Sequence, residues 1–203
     1  NASNGSQRSL SPVPGTSSTQ LVPAAQARAQ SPVAFDEQQL ALVNTTNHLT
    51  LTKLGMTAIA FPSQIASTTL NRLMSLDLSF NQLTSLSTPA LSSLPALIHL
   101  NVSNNLLQRL ATRGNCPLPS TLESLDASNN SLKHITGLEN CMYLRHVNLS
   151  NNQMKAASGL EFLPSLFELD LSNNAIEKPA AIRTLSCNLA LRTLKMEGNP
   201  IAQ

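Results

Sequence analysis

The chain of 203 residues carries a formal net charge of +2, no Trp, one Tyr and five Phe. It is long enough to bury a substantial core, but Leu rather than large aromatics supplies the apolar mass, so many similar thin layers are the expected way to fill it. So small a charge does not by itself argue for nucleic acid, whose non-specific binding draws on clustered Lys and Arg, and no apolar run reaches the length of a membrane-spanning helix.

Residues 1–35 are rich in Ser, Pro, Ala and Gln and read as a disordered tail, because too little apolar surface is present to offset the entropy of ordering it. Residues 36–50 are expected to form a short N-terminal capping segment: Asp36 is placed to cap a helix in which Leu40 and Val43 share a face. The first residue is Asn rather than Met, which reads as a fragment or a processed product. Cys116, Cys141 and Cys187 are odd in number, far apart and without a C-x-x-C pair. That pattern predicts reduced, largely buried thiols in an intracellular protein.

From Leu51 onward one frame recurs. "LMSLDLSFNQLTSL" starts at Leu73, "LIHLNVSNNLLQRL" at Leu97, "LESLDASNNSLKHI" at Leu122, "LRHVNLSNNQMKAA" at Leu144, "LFELDLSNNAIEKP" at Leu166 and "LRTLKMEGNPI" at Leu191. "LTKLGMTAIAF", from Leu51, reads as a degenerate first copy with Ile59 in place of Asn. The starts lie 22 to 25 residues apart, the spacing of a stacked solenoid. If positions four and six of a short strand point inward, Leu76 with Leu78, Leu100 with Val102, Val147 with Leu149 and Leu169 with Leu171 line one continuous core. Past the strand the chain must turn away, leaving buried backbone groups unpaired. Asn81, Asn105, Asn130, Asn152, Asn174 and Asn199 at position nine each carry two donors and an acceptor on a short arm, suited to satisfying them. "STPALSSLP" and "AIRTLSCN" predict short helices or turns on the outer side.

This wording, L-x-x-L-x-L-x-x-N-x-L, resembles the leucine-rich repeat family over residues 51–203. The resemblance implies an α/β fold, a right-handed curved solenoid of about seven repeats with a parallel β-sheet on its concave face. The 22-residue copies, with "GLENCMYL" and "GLEFLPSL" between frames, are similar to the class found in phosphatase regulators and ciliary dynein-associated proteins. That likeness implies a cytoplasmic, cytoskeletal or ciliary setting. The chain stops at "GNPIAQ" with no lid over Leu194, Met196 and Ile201, so a C-terminal cap is expected from further chain or from a partner.

Positions three, five and seven are expected to face outward on the concave sheet. Position five reads Asp77, Asn101, Asp126, Asn148, Asp170 and Lys195, an alternation that keeps carboxylates roughly 10 Å apart and makes either a solubilising polar ladder or a mildly acidic groove for a basic partner. Position three adds His99, His146 and Glu168, with His146 expected to pair with Glu168 across one strand. Position two adds Met74, Ile98, Arg145 and Phe167, apolar and cationic groups of the kind found at interfaces. Arg109, Lys133, Lys155 and Lys178 recur just past the Asn as a basic edge, either a solvated flank or a contact for an acidic tail, a phosphate-bearing protein or RNA.

The sequence contains no nucleophile elbow, phosphate-binding loop or metal-binding motif, so no enzyme activity, metal, cofactor or small-molecule substrate is expected. The function expected is a protein–protein interaction scaffold binding its partner on the concave face, as a subunit or adaptor of a larger intracellular assembly of the cytoskeletal, ciliary or phosphatase-regulatory kind. Two other classes make distinct predictions: an extracellular recognition module would carry glycans and a Cys-rich cap, and a ribonucleoprotein scaffold would bind RNA in a salt-dependent way.

Overall fold

The structure, a computed structural model, describes residues 46–59, 61, 65, 67–86, 89–111 and 118–202. The expected tail, most of the capping segment and Cys116 therefore lie outside the described residues. Seven strands of three residues each, β1 (His48–Thr50), β2 (Ser75–Asp77), β3 (His99–Asn101), β4 (Ser124–Asp126), β5 (His146–Asn148), β6 (Glu168–Asp170) and β7 (Thr193–Lys195), pair in parallel in chain order. Position four lies beside position four throughout, from Leu49 against Leu76 to Leu169 against Leu194. Successive strands can pair in parallel only because each coil carries the chain right round the core between them. The result is the open parallel sheet of the expected solenoid.

Coil length sets how the chain returns. The coil from Leu73 to Leu97 returns through helix α2 (Pro89–Ser92), and the one from Leu166 to Leu191 through a 3-10 helix, Pro179–Cys187. Helix α1 (Ser67–Leu70) serves the first coil. The two 22-residue coils have no room for a helix and return through turns alone, between Gly137 and Tyr143 and between Ser158 and Ser165. Gly159 stands at one such turn with φ of 98°, where a side chain would run into the Ile135 carbonyl oxygen.

The core is a stack of aliphatic layers. Leu73, Leu76, Leu78, Leu83 and Leu86 from one coil are fully buried, and their counterparts repeat up the stack. Truncating one such Leu to Ala would cost about 2–5 kcal/mol. Ala127, the small residue at position six, is fully buried together with Leu149 of the next coil.

The first coil corrects the sequence frame. His48 lies beside Ser75 and Leu49 beside Leu76, so the copy begins at Thr46 rather than Leu51, and Leu51 is its inward position six. Ile59 is then a buried position-fourteen residue, and Leu54, 45% exposed, stands where later coils have Asn. Residues 46–50 accordingly belong to the solenoid. "LTKL" imitates the start of a frame because Leu51 and Leu54 have the right spacing, yet the strand needs Leu49 and Leu51 on its inner side.

A row of left-handed residues marks the bend after each strand. Lys53, Phe80, Asn104, Asn129, Asn151 and Asn173, all at position eight, have φ of 53–57°, and Gly198 continues the row at 72°. Asn and Gly tolerate this region, whereas Phe80 and Lys53 occupy it at a steric cost.

Candidate functional site

The six position-nine asparagines form the expected ladder between coils. The Nδ2 of Asn105 donates to the Leu78 carbonyl of the coil before it at 3.0 Å and to its own coil's Val102 at 3.0 Å, while its Oδ1 accepts the Leu83 amide at 3.0 Å. Asn81, Asn130, Asn152, Asn174 and Asn199 repeat this arrangement. Five of the six are buried, and Asn130 is half-buried. A further buried amide missed in the sequence, Asn188, donates at 2.9 Å to both the Leu160 and Leu163 carbonyls and ties two return segments together. Its signal is faint, a single Asn after "LSC" with no repeat to announce it.

Position five has a role that reading it as charge overlooked. Oδ1 of Asp77, Asn101, Asp126, Asn148 and Asp170 accepts the amide of the Ser two residues on, at 2.8, 3.0, 2.9, 3.1 and 2.9 Å. Asp and Asn alternate freely because both supply that oxygen, and the turn it closes is the local bond these side chains favour. Position seven faces solvent only in part: Ser150 and Ser172 are half-buried and Glu197 is exposed. Ser79, Ser103 and Ser128 are buried. The second oxygens of two of the three Asp are also engaged, Asp126 Oδ2 by Asn148 Nδ2 at 3.2 Å and Asp170 Oδ2 by Lys195 Nζ at 3.5 Å. On the floor, Lys195 offsets the charge of Asp170.

The last coil breaks the pattern and repairs it. Lys195 cannot accept the amide at position seven, where Glu197 replaces Ser. The Glu197 carboxylate takes its own backbone amide and the Ser172 hydroxyl, 2.8 Å away, and these two bonds hold it below the ordinary 4.5.

Toward β5 and β6 the exposed polar and aromatic side chains gather into one cluster. His146 Nδ1 is 3.1 Å from Glu168 Oε2, the expected cross-strand pair. Half-buried Phe167 carries the Arg145 guanidinium 6.0 Å from its ring centre and the His146 ring edge-on at 6.3 Å. A shallow depression of about 200 Å³ opens beside them over Asp126, Asn148, Asp170 and Lys195. His99 is separated from His146 by the whole of β4. Among the described residues no three His, Cys, Asp or Glu side chains gather to hold a metal.

Arg109, Lys133, Lys155 and Lys178 are all exposed, and Lys155 and Lys178 line one hollow with Glu177. The cysteines divide: Cys141 is buried, as expected, with its Sγ 3.9 Å from the Pro119 carbonyl oxygen, but Cys187 is exposed because the outer 3-10 helix turns it to solvent. At the last coil Leu194 is 39% exposed, while Met196 and Ile201 are half-buried. Among the described residues no helix is long and apolar enough to cross a membrane.

Known proteins agree with this architecture. A family model described as "Leucine rich repeat" matches residues 71–132. The leucine-rich repeat domain of APL1B is similar at 28% identity and a TM-score of 0.59, over 77% of this chain and 43% of that one. A chain of the LRIM1/APL1C complex is 32% identical with a TM-score of 0.58, over 75% of this chain and 26% of that one. A leucine-rich repeat protein of Leptospira interrogans, 20% identical with a TM-score of 0.61 over 84% of this chain and 47% of that one, shares the fold. The chain spans less than half the length of each. No curated protein matches it. The recurring frame, the in-register sheet and these likenesses agree: the chain belongs to the leucine-rich repeat family.

Proposed function

We propose that the protein is a non-enzymatic scaffold that binds a protein partner on its concave face, centred on Arg145, His146, Phe167 and Glu168. The observation that carries this reading is the cluster itself. An Arg and a His flank a half-buried ring on an otherwise hydrogen-bonded sheet, and Arg and aromatic side chains are the groups that dominate interface energetics. The remaining face residues, Asp77, Asn101, Asp126, Asn148 and Asp170, are assigned mainly to holding the turns, with His99 and Lys195 at the margin. The likeness to a chain of the LRIM1/APL1C complex, itself an assembly of two proteins, supports protein binding as the class of function. The 22-residue copies, through the class they resemble, support an intracellular adaptor or subunit role in a cytoskeletal, ciliary or phosphatase-regulatory assembly.

Affinity purification of the full-length protein from its native cells, compared with an Arg145→Ala/Glu168→Ala variant, tests this. Both positions are exposed and stand outside the turn bonds, so the variant should melt with the wild type yet lose the proteins that copurify. An unchanged set of partners would refute the concave assignment. Partners lost only on RNase treatment would replace it with the ribonucleoprotein reading through the basic edge.

A further inference from the structure

The bends after the strands form a second surface, at the opposite end of the strands from Arg145 and Phe167. They stack in register: the Lys53 amide donates to the Ser79 carbonyl at 3.4 Å and the Phe80 amide to the Ser103 carbonyl at 3.1 Å. Along this edge three successive coils leave a large apolar side chain in water, Leu54 at 45%, Phe80 at 53% and Leu106 at 53% exposure. The next three coils place Ser131, Gln153 and Ala175 where Leu106 stands. The apolar patch is therefore confined to the first three coils.

Phe80 carries two penalties there. Its φ of 56° is left-handed, which a bulky side chain disfavours, and its ring stands open to water rather than packed in the core. At the same position Asn104, Asn129, Asn151 and Asn173 turn the chain with a residue that tolerates the conformation. Strain held where packing gains nothing from it, on an exposed apolar patch, points to a use in binding.

The charge of the edge is one-sided. Positions seven to fourteen of the first five coils, residues 52–59, 79–86, 103–110, 128–135 and 150–157, contain Lys53, Arg109, Lys133 and Lys155 and no Asp or Glu. All four cations are exposed, and among the described residues none forms an ion pair. The Lys53 ammonium lies 5.5 Å from the Phe80 ring centre, so cationic and apolar groups meet at one point. Single-stranded nucleic acid stacks its bases on successive aromatic rings. Here a single ring is joined by two aliphatic side chains, a set that suits the side chains of a protein.

We infer that the bend edge of the first three coils binds an acidic segment of a partner protein. Apolar residues of that segment pack on Leu54, Phe80 and Leu106, and its carboxylates face Lys53 and Arg109. The site shares no residue with the concave cluster.

Photo-crosslinking from p-benzoylphenylalanine placed at Leu106 of the full chain, in its native cells, tests this. Mass spectrometry of the adduct should give a protein segment with more Asp and Glu than Lys and Arg and with a large apolar residue among them. A synthetic peptide of that segment should bind the full chain in fluorescence anisotropy, more weakly as salt rises. Phe80→Asn should weaken this binding about tenfold or more, the loss expected of an interface anchor, while melting no lower than wild type. Leu106→Ser, outside the left-handed row, should weaken it as well and carries the comparison if Phe80→Asn melts lower. Lys53→Glu with Arg109→Glu should weaken it too. Arg145→Ala/Glu168→Ala should leave the crosslink in place, which separates this test from the concave reading. The inference is overturned by no crosslinked polypeptide, by a neutral or basic segment, by RNA or a second copy of this chain as the adduct, by wild-type affinity in any edge variant, or by loss of the crosslink in Arg145→Ala/Glu168→Ala.

Discussion

Two rows of short side chains run up the solenoid, one at position nine and one at position five, and both offer an Oδ1 to a backbone amide. At position nine the amide belongs to the previous coil, as Leu83 does for Asn105, and the whole side chain is buried. At position five it lies two residues ahead in the same coil, as Ser128 does for Asp126, and the side chain is half-exposed. The first row joins layers and the second shapes a turn. Burial and sequence separation, rather than the count of bonds, should therefore decide what each is worth.

The comparison breaks most visibly at Asn105. Asn105→Leu strands the Leu83 amide and takes one of two donors from each of the Leu78, Val102 and Ser103 carbonyls, which keep Asn81, Asn130 and the Phe80 amide, and should cost about 2–3 kcal/mol by denaturant titration, since an orphaned buried group costs roughly 1–3. Asn130→Leu, at the half-buried step, should cost about 1–2 kcal/mol. Equal losses at the two positions would mean that burial is not the governing variable.

Next comes the strained bend. Phe80 is 53% exposed at a left-handed position where four later coils use Asn, with the Lys53 ammonium 5.5 Å from its ring centre. Phe80→Asn relieves about 1–2 kcal/mol of steric cost and gives up about 0.5–1 of cation–π attraction. Thermal melting should rise by about 2–4 °C. The turn row should yield less than the ladder: Asp126→Ala should lose about 1 kcal/mol through the Ser128 and Asn148 bonds, while Asp126→Asn, which keeps Oδ1, should stay within about 0.5 of wild type.

The smallest effect is at Glu197. Its carboxyl is held below the ordinary 4.5, so its contribution is complete above the unfolded-state value and is lost as pH falls through the lower folded value. Stability measured from pH 6 down to 3 should fall slightly less steeply in Glu197→Gln than in wild type. An identical slope would remove Glu197 from the repair assigned to the last coil.

Periodicity made most of the fold legible, because a side chain repeated in phase must face the same way in every coil. Six strands, the inward pairs and the whole Asn ladder follow from it, as does the His146–Glu168 contact. What escaped has local causes. The first coil is masked by Leu54 in the Asn place, so spacing alone chose a false start at Leu51. The position-five turns were written five times as Asp or Asn, any residue, Ser, yet a search for charge sees only that Asp and Asn differ. A groove on the rim gathers residues from four coils: position two already set Met74 and Ile98 in one row, and coordinates add Glu123 and Tyr143.

The most direct measurement of the interlocked stack is amide hydrogen exchange by NMR at Leu83, Leu107, Leu132, Met154 and Ile176, whose N–H groups each donate to a position-nine Asn at 2.9–3.1 Å. These amides lie outside any strand, and the ladder predicts that they exchange as slowly as the central strands. Exchange at the rate of exposed turn amides would contradict it.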